Sequence, residues 1–335
     1  MITRRQLAAI ILGNEIARRS RRRNPHPALR ILAYHRILEG NKTSFPFDEG
    51  VISATPDAFF QQMKFVRDNF EVISFRYLED CEHEKRPWPK HGLIITFDDG
   101  YRDNYTNAFP ILKQLGLTAT IFLTAGHIGS AELFWWDLVA YCIKHSTRTT
   151  IDLPGLDPRP MRLNSAVERR EAIRRILGWL KVISDSRKRA FVAEVAQLTG
   201  VSPPDPETEP MHLNWEEVCE MANAGLEFGS HTLTHPILTN VSEEQLTVEV
   251  AQAKTIIERH LERHIIAFSY PSGRFDARIQ AAVSSRGFEF AVSYHQDVAH
   301  QSSFERYALP RIHVEREQSL NEFRSNLLFP ALMFR

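Results

Sequence analysis

Cysteine is scarce: Cys81, Cys142 and Cys219 are the only three in 335 residues, far apart and without a C-x-x-C pair. That spacing argues against a disulfide framework and against a cysteine zinc site, and it fits a reducing compartment. Excess charge of either sign is missing too, with 41 Lys+Arg against 41 Asp+Glu. No overall field recruits nucleic acid, and none is expected as a partner. Long apolar runs are also lacking. The opening "MITRRQLAAIILGNEIARRSRRRNPHP" has a basic beginning, a short apolar stretch from Leu7 to Leu12, and then a cluster of arginines. A membrane span needs about 20 apolar residues, and a signal peptide needs a longer apolar core and a small-residue cleavage site. Neither is readable here. Ala8, Ile11, Leu12 and Ile16 share one helical face, so residues 1–28 are expected to form a basic amphipathic segment. A solvated or docked helix is the preferred reading, and peripheral contact with an anionic membrane surface is the alternative. The matching location is cytoplasmic, or peripheral at the cytoplasmic membrane face.

What is present is an alternation of strand-like and helix-like stretches. "LRILAYH" (29–35) reads as a buried strand ending at His35, and "TPDAFFQQMKFVRDN" (55–69) as a helix capped by Thr55 or Asp57. Strands follow at 70–74, 92–97 and 118–125, with helices at 75–81 and 105–116. Pro110 predicts that the last of these kinks or starts late. From about 138 to 209 the texture changes to Arg-, Glu- and Lys-rich helical spacing, which reads as a helical insertion. The alternation then resumes, with strands at 226–231, 265–271 and 288–294 and helices at 214–225, 242–261 and 276–287. The fold class is therefore α/β, either an open parallel sheet or a barrel, with one catalytic domain over 29–335 interrupted by the insertion. In both architectures chemistry sits at the C-terminal ends of the strands.

Polar residues collect at those ends. "ITFDDGY" delivers Asp98 and Asp99, "LEFGSHTLTHP" delivers His231 and His235, "IIAFSYPSG" delivers Ser272, and the first strand delivers His35. An Asp-Asp-Gly triplet alone is more often a turn, and an H-x-x-x-H pair alone need not bind metal. Their meeting at separate strand ends favours two histidines and one carboxylate around a divalent cation. One aspartate would then reach the ion while the other holds a water. A single helical turn before Pro236 would bring the two histidines together. Trp135, Trp136, Tyr101 and Tyr270 are candidates for a sugar platform, although core packing is the stronger reading for the tryptophans. Asp137 is read as a cap for the helix that follows.

"TFDDGY" and "SHTLTHP", with "YHRI", "AFPILKQLGLTATIFL", "WWD" and "LPRIHV" around them, resemble the motifs of the polysaccharide deacetylases, the NodB-like carbohydrate esterase family 4. The likeness covers roughly 30–130 and 210–315. It implies a distorted (β/α) barrel and a metal-dependent hydrolase removing N-acetyl groups from an acetylated glycan, an acetamido-sugar polysaccharide or its lipid-linked precursor. The implied roles are Asp98 as general base and Asp99, His231 and His235 as ligands, usually of Zn2+, with the backbone N–H near Ser272 at the oxyanion. Two departures stand out. The arginine common in the third motif is Ser269 here, and the tryptophan-bearing fourth motif is not recognisable in "SYHQDVAH". Arg311 is expected to replace that arginine, and His313 or His35 to act as general acid. Other acyl groups or linkages (an O-acetyl ester, a formyl amide) and a non-catalytic glycan-binding relative are the alternatives.

Overall fold

The computed structural model describes residues 28–39, 45–202, 210–301 and 304–333. The amphipathic segment expected over 1–28 lies outside them except for Ala28, which already belongs to the first strand. The strands in chain order are β1 (Ala28–Tyr34), β2 (Arg36–Ile37), β3 (Ile52–Ala54), β4 (Glu71–Val72), β5 (Gly92–Phe97), β6 (Thr120–Leu123) and β7 (Thr150–Ile151). They continue with β8 (Met161–Arg162), β9 (Glu227–Ser230), β10 (Ala267–Ser269), β11 (Phe290–Val292), β12 (Ala299–His300) and β13 (Ile312–His313). Nine of them form one curled sheet in which β11, β10, β9, β6, β5 and β1 lie side by side. Every pairing along that run is parallel. The strands read as continuous apolar runs because helices cover their outer side, as parallel sheets require.

Closure comes from one short stretch. Leu309 bridges Val292 at the free edge of β11, and Ile312 and His313 pair with Leu32 and Ala33 of β1. Residues 309–313 therefore join the sheet's two edges and bend it into the distorted barrel. Arg311, midway along them, is fully buried.

The helices show their causes in sequence. Thr55 caps Pro56–Asn69 by accepting the Ala58 N–H, with proline in the first turn. Ser242 caps Glu243–Leu261, the long helix packed beside β9. Pro110 does delay its helix: a π-helical turn at Asn104–Ala108 precedes the α-helix Phe109–Leu115. The insertion contributes Trp135–His145, Ala166–Leu180 and Asp185–Thr199, which build a second apolar cluster with Phe47, Tyr101 and Met211 beside the barrel's own core. No described helix is long and apolar enough to cross a membrane.

Candidate active site

Register puts the site together. Tyr34 lies opposite Phe97, Phe97 opposite Ile121, and Leu123 opposite Ser230. His35 and Asp98 thus emerge at one level of the rim, and His231 follows two residues further along it on β9. Asp99 would point away on a regular strand, since neighbouring side chains alternate. Its backbone instead takes a left-handed conformation, φ 77°, which turns the second carboxylate back beside the first. Thr232, His235 and Ser272 are left-handed as well, at φ 72°, 57° and 56°. Such conformations cost on the order of 1 kcal/mol or more each and persist where surrounding contacts enforce them.

At His231–His235 those contacts are visible, and they differ from the expected helical turn. No helix forms there. The buried Glu249 carboxylate, from helix Glu243–Leu261, accepts the N–H groups of Leu233 and Thr234 at 2.9 and 2.8 Å and the Thr234 hydroxyl. His235 N–H donates to Thr232 Oγ1 at 3.0 Å. Glu249 is a functional residue that sequence reasoning missed; a helical glutamate normally signals only a solvated face.

The three expected ligand atoms converge. Asp99 Oδ1 is 3.5 Å from His231 Nε2 and 3.4 Å from His235 Nε2. The two imidazole Nε2 atoms are 3.1 Å apart. Donors about 2.0–2.1 Å from a cation at tetrahedral angles would lie roughly 3.3 Å from one another, so the set fits a zinc-sized ion. The chemistry of the donors fits too. His231 Nδ1 faces the Ser269 carbonyl at 2.7 Å, which can only accept, so this nitrogen carries the proton and leaves Nε2 with a free lone pair. Asp99 Oδ1, in turn, is buried without any hydrogen-bond partner. Burial and the neighbouring Asp98 raise the Asp99 carboxyl well above its usual range. Burial, and then His231, lower the His235 imidazole well below its usual range. A group of charges so disfavoured individually is what a cation would reconcile.

Asp98 stands 4.0 Å from His231 Nε2 and is held from the other side. Arg311 grips it with both arms, Nη1 to Oδ1 at 2.8 Å and Nη2 to Oδ2 at 2.7 Å. The Ser269 hydroxyl accepts from Arg311 at 3.1 Å and donates to Asp98 at 3.2 Å. Burial alone would push this carboxyl up; the guanidinium and His231 override it and hold the group well below the usual carboxylate range.

A cavity of about 370 Å³ opens over these groups, lined also by His35, Trp135, Trp136 and Ser272. His35 reaches it with its pKa lowered to about 4, chiefly by burial, so the imidazole is neutral at pH 7. Trp136 combines the two readings for the tryptophans: it is largely buried, yet it borders the cavity and packs its ring 4.5 Å from that of His235.

Four expectations need correction. Tyr101 does not meet substrate: it is fully buried, and its hydroxyl donates to Asp137 Oδ2 at 2.7 Å while accepting from Trp136 Nε1 at 2.8 Å. Tyr270 borders the cavity but is equally buried, with its hydroxyl turned away to the Tyr307 carbonyl at 3.0 Å. Asp137 caps no helix; it sits inside Trp135–His145 and receives the Asp48 N–H as well as Tyr101. His313 does not line the cavity. Its ring lies 3.5 Å from that of Tyr294, which does line it, and its Nε2 donates to the Tyr294 carbonyl.

The molecule is an α/β protein with a curled, mostly parallel sheet, and its Asp99, His231 and His235 could together hold a metal ion beside the buried Asp98. The sequence profile of the family described as polysaccharide deacetylase matches residues 85–291, and the chain belongs to that family. The Bacillus subtilis protein YxkH, named for the same family, is 25% identical over 297 residues, 88% of this chain and 74% of that protein. A poly-β-1,6-N-acetyl-D-glucosamine N-deacetylase of Staphylococcus aureus is 28% identical over 118 residues, which is 32% of this chain and only 40% of that enzyme. Among solved structures, the Streptococcus pyogenes deacetylase PplD in complex with acetate superposes with a TM-score of 0.61 at 19% identity, covering 91% of this chain and all of that one. That likeness supports the fold.

Proposed function

We propose that the protein is a divalent-metal-dependent deacetylase that removes N-acetyl groups from an acetamido-sugar glycan or its lipid-linked precursor. The observation that carries this reading is the convergence of Asp99, His231 and His235 on one point, with Asp98 unshared beside it. Relatives named as N-deacetylases of poly-β-1,6-N-acetyl-D-glucosamine support an acetamido sugar as the substrate.

Asp99, His231 and His235 would hold the ion, zinc by preference; when bound, it polarises an acetyl oxygen and acidifies a water. Asp98, kept ionised by Arg311, accepts the proton of the attacking water from within hydrogen-bond reach, ~2.6–3.2 Å. The backbone N–H near Ser272, which lines the cavity, would donate to the oxygen that gains charge. As the C–N bond breaks, the departing sugar amine takes up the proton that Asp98 received. His35, which lines the same cavity, would relay it.

Metal content and acetate release, measured together, test the reading. Asp98→Asn should lower acetate release from N-acetylglucosamine oligomers by roughly 10²–10⁴-fold while bound zinc stays stoichiometric. Loss of zinc in that variant would show that base and ligand roles are divided wrongly. Wild-type release from O-acetylated but not N-acetylated oligomers would replace the amide reading with an esterase.

A further inference from the structure

Two cations of the catalytic cavity's lining, Lys181 and Arg274, form no ion pair among the described residues. Lys181 follows helix Ala166–Leu180 of the insertion, and Arg274 follows the turn at Pro271–Gly273 beyond β10. Both line the cavity that contains Asp98 and the Asp-His-His cluster, and both side chains are exposed. Neither has an ion-pair partner among the described residues; Arg274 Nη1 donates to the Lys181 carbonyl at 2.8 Å. The other arginine of the lining, Arg311, is already committed to Asp98. Asp48, the remaining carboxylate of the lining apart from Asp98 and Asp99, lies within electrostatic reach of Lys181 but forms no ion pair with it, and it accepts the Gly50 N–H at 3.0 Å.

The placement of this pair is fixed by the fold. Asn240, just beyond the His231–His235 loop, donates through Nδ2 to the carbonyls of Lys181 and Ile183 at 3.3 and 2.8 Å. Together with the Arg274 bond this ties the turn between the insertion helices Ala166–Leu180 and Asp185–Thr199 to two strand-end loops of the barrel. The backbone that carries Lys181 is thereby held beside the cavity, next to the Arg274 guanidinium. Like charges gathered at a cavity mouth repel each other and favour a negatively charged occupant, and a guanidinium fork matches carboxylate or phosphate geometry.

We propose that Lys181 and Arg274 form an anion subsite, which recognises a carboxylate or phosphate carried by the sugar adjoining the one deacetylated. The substrate class is then an acidic acetamido-sugar glycan. This rests on the deacetylase reading above. Because the chain as a whole carries no net charge, the attraction is local to this rim.

Binding to the zinc-loaded full chain, read by titration calorimetry, tests the subsite without turnover. The probes are an N-acetylglucosamine tetramer, an alternating N-acetylglucosamine–glucuronic acid tetramer, and an N-acetylglucosamine tetramer bearing one phosphate ester. At least one acidic probe should bind about tenfold tighter than the neutral one, with the preference fading as salt rises. The stronger acidic probe identifies the group. Lys181→Gln/Arg274→Gln should abolish the preference, and Lys181→Arg should keep most of it. Equal wild-type affinity for neutral and acidic probes, or a preference that survives the double substitution, overturns the subsite. Acetate release is measured on the same probes. If none is released while the acidic preference holds, the deacetylase reading fails and the subsite stands.

Discussion

Asp98 is buried beside three other potential charges, and its usefulness depends on which neighbour dominates. A guanidinium bonded to both oxygens keeps the carboxylate ionised but also weakens it as a base. The arrangement is favourable because a base that is always charged and always aimed needs no reorganisation when the water arrives. Removing the guanidinium should separate these effects. Arg311→Met is expected to raise the Asp98 carboxyl, since burial is then opposed only by His231 and His35. The folded pKa of Asp98 lies below its unfolded value, so its stabilising contribution exists above the unfolded pKa and disappears as pH falls through the folded one. Without Arg311 that contribution is lost, and breaking a buried pair costs about 3–5 kcal/mol. We expect kcat/KM to drop by roughly 10²-fold and the acid limb of its pH profile to move to higher pH. Arg311→Lys should recover part of both. An unmoved acid limb in Arg311→Met would show that Asp98 does not depend on this partner.

At the scale of elements, helix Trp135–His145 is fastened to the catalytic turn by a relay of buried groups. Trp136 Nε1 donates to Tyr101, Tyr101 donates to Asp137, and Asp137 also accepts the Asp48 N–H. Trp136 in turn lies against His235. Tyr101→Phe leaves an indole N–H and a carboxylate oxygen unpaired, and each buried orphan costs roughly 1–3 kcal/mol. Urea unfolding should show a loss of about 2–4 kcal/mol, with KM rising because Trp136 borders the cavity. A variant as stable as wild type would mean that water replaces the relay.

None of that relay could be read from sequence. Apolar runs ending in polar residues revealed the strands and their rim, and so brought Asp98, Asp99, His231 and His235 to one place. The partners of Tyr101, Asp137 and Glu249 are set by tertiary approach, across 36 residues for the first pair. A tyrosine beside a catalytic motif looks the same whether it faces sugar or core. The left-handed turn at Asp99 also escaped the pattern, because the residue type alone does not force it. Ser269, by contrast, announced a vacancy that Arg311 fills from a distant part of the chain.

Over the whole molecule, a balanced charge hides an uneven response to acid. His127 and His212 are buried in an aromatic cluster with Phe134, away from Asp98, and each has an unpaired Nδ1. Burial lowers their pKa values to about 4 and about 3. Both therefore remain neutral in the folded protein at pH values where the unfolded chain, near 6.5, has already taken up protons. The unfolded state binds more protons in this window, so stability is full above about pH 6.5 and falls as pH drops toward the folded values. At pH 5 the loss is roughly 2 kcal/mol for each such histidine. His127→Phe keeps a ring in the stack with Phe134, whose centroid lies 4.4 Å away, and removes the titration. Denaturation from pH 7.5 to 5 should show a shallower decline in His127→Phe than in wild type, by about one proton's slope. Parallel curves for the two proteins would mean that His127 is already protonated in the folded state, and that the aromatic cluster holds an imidazolium.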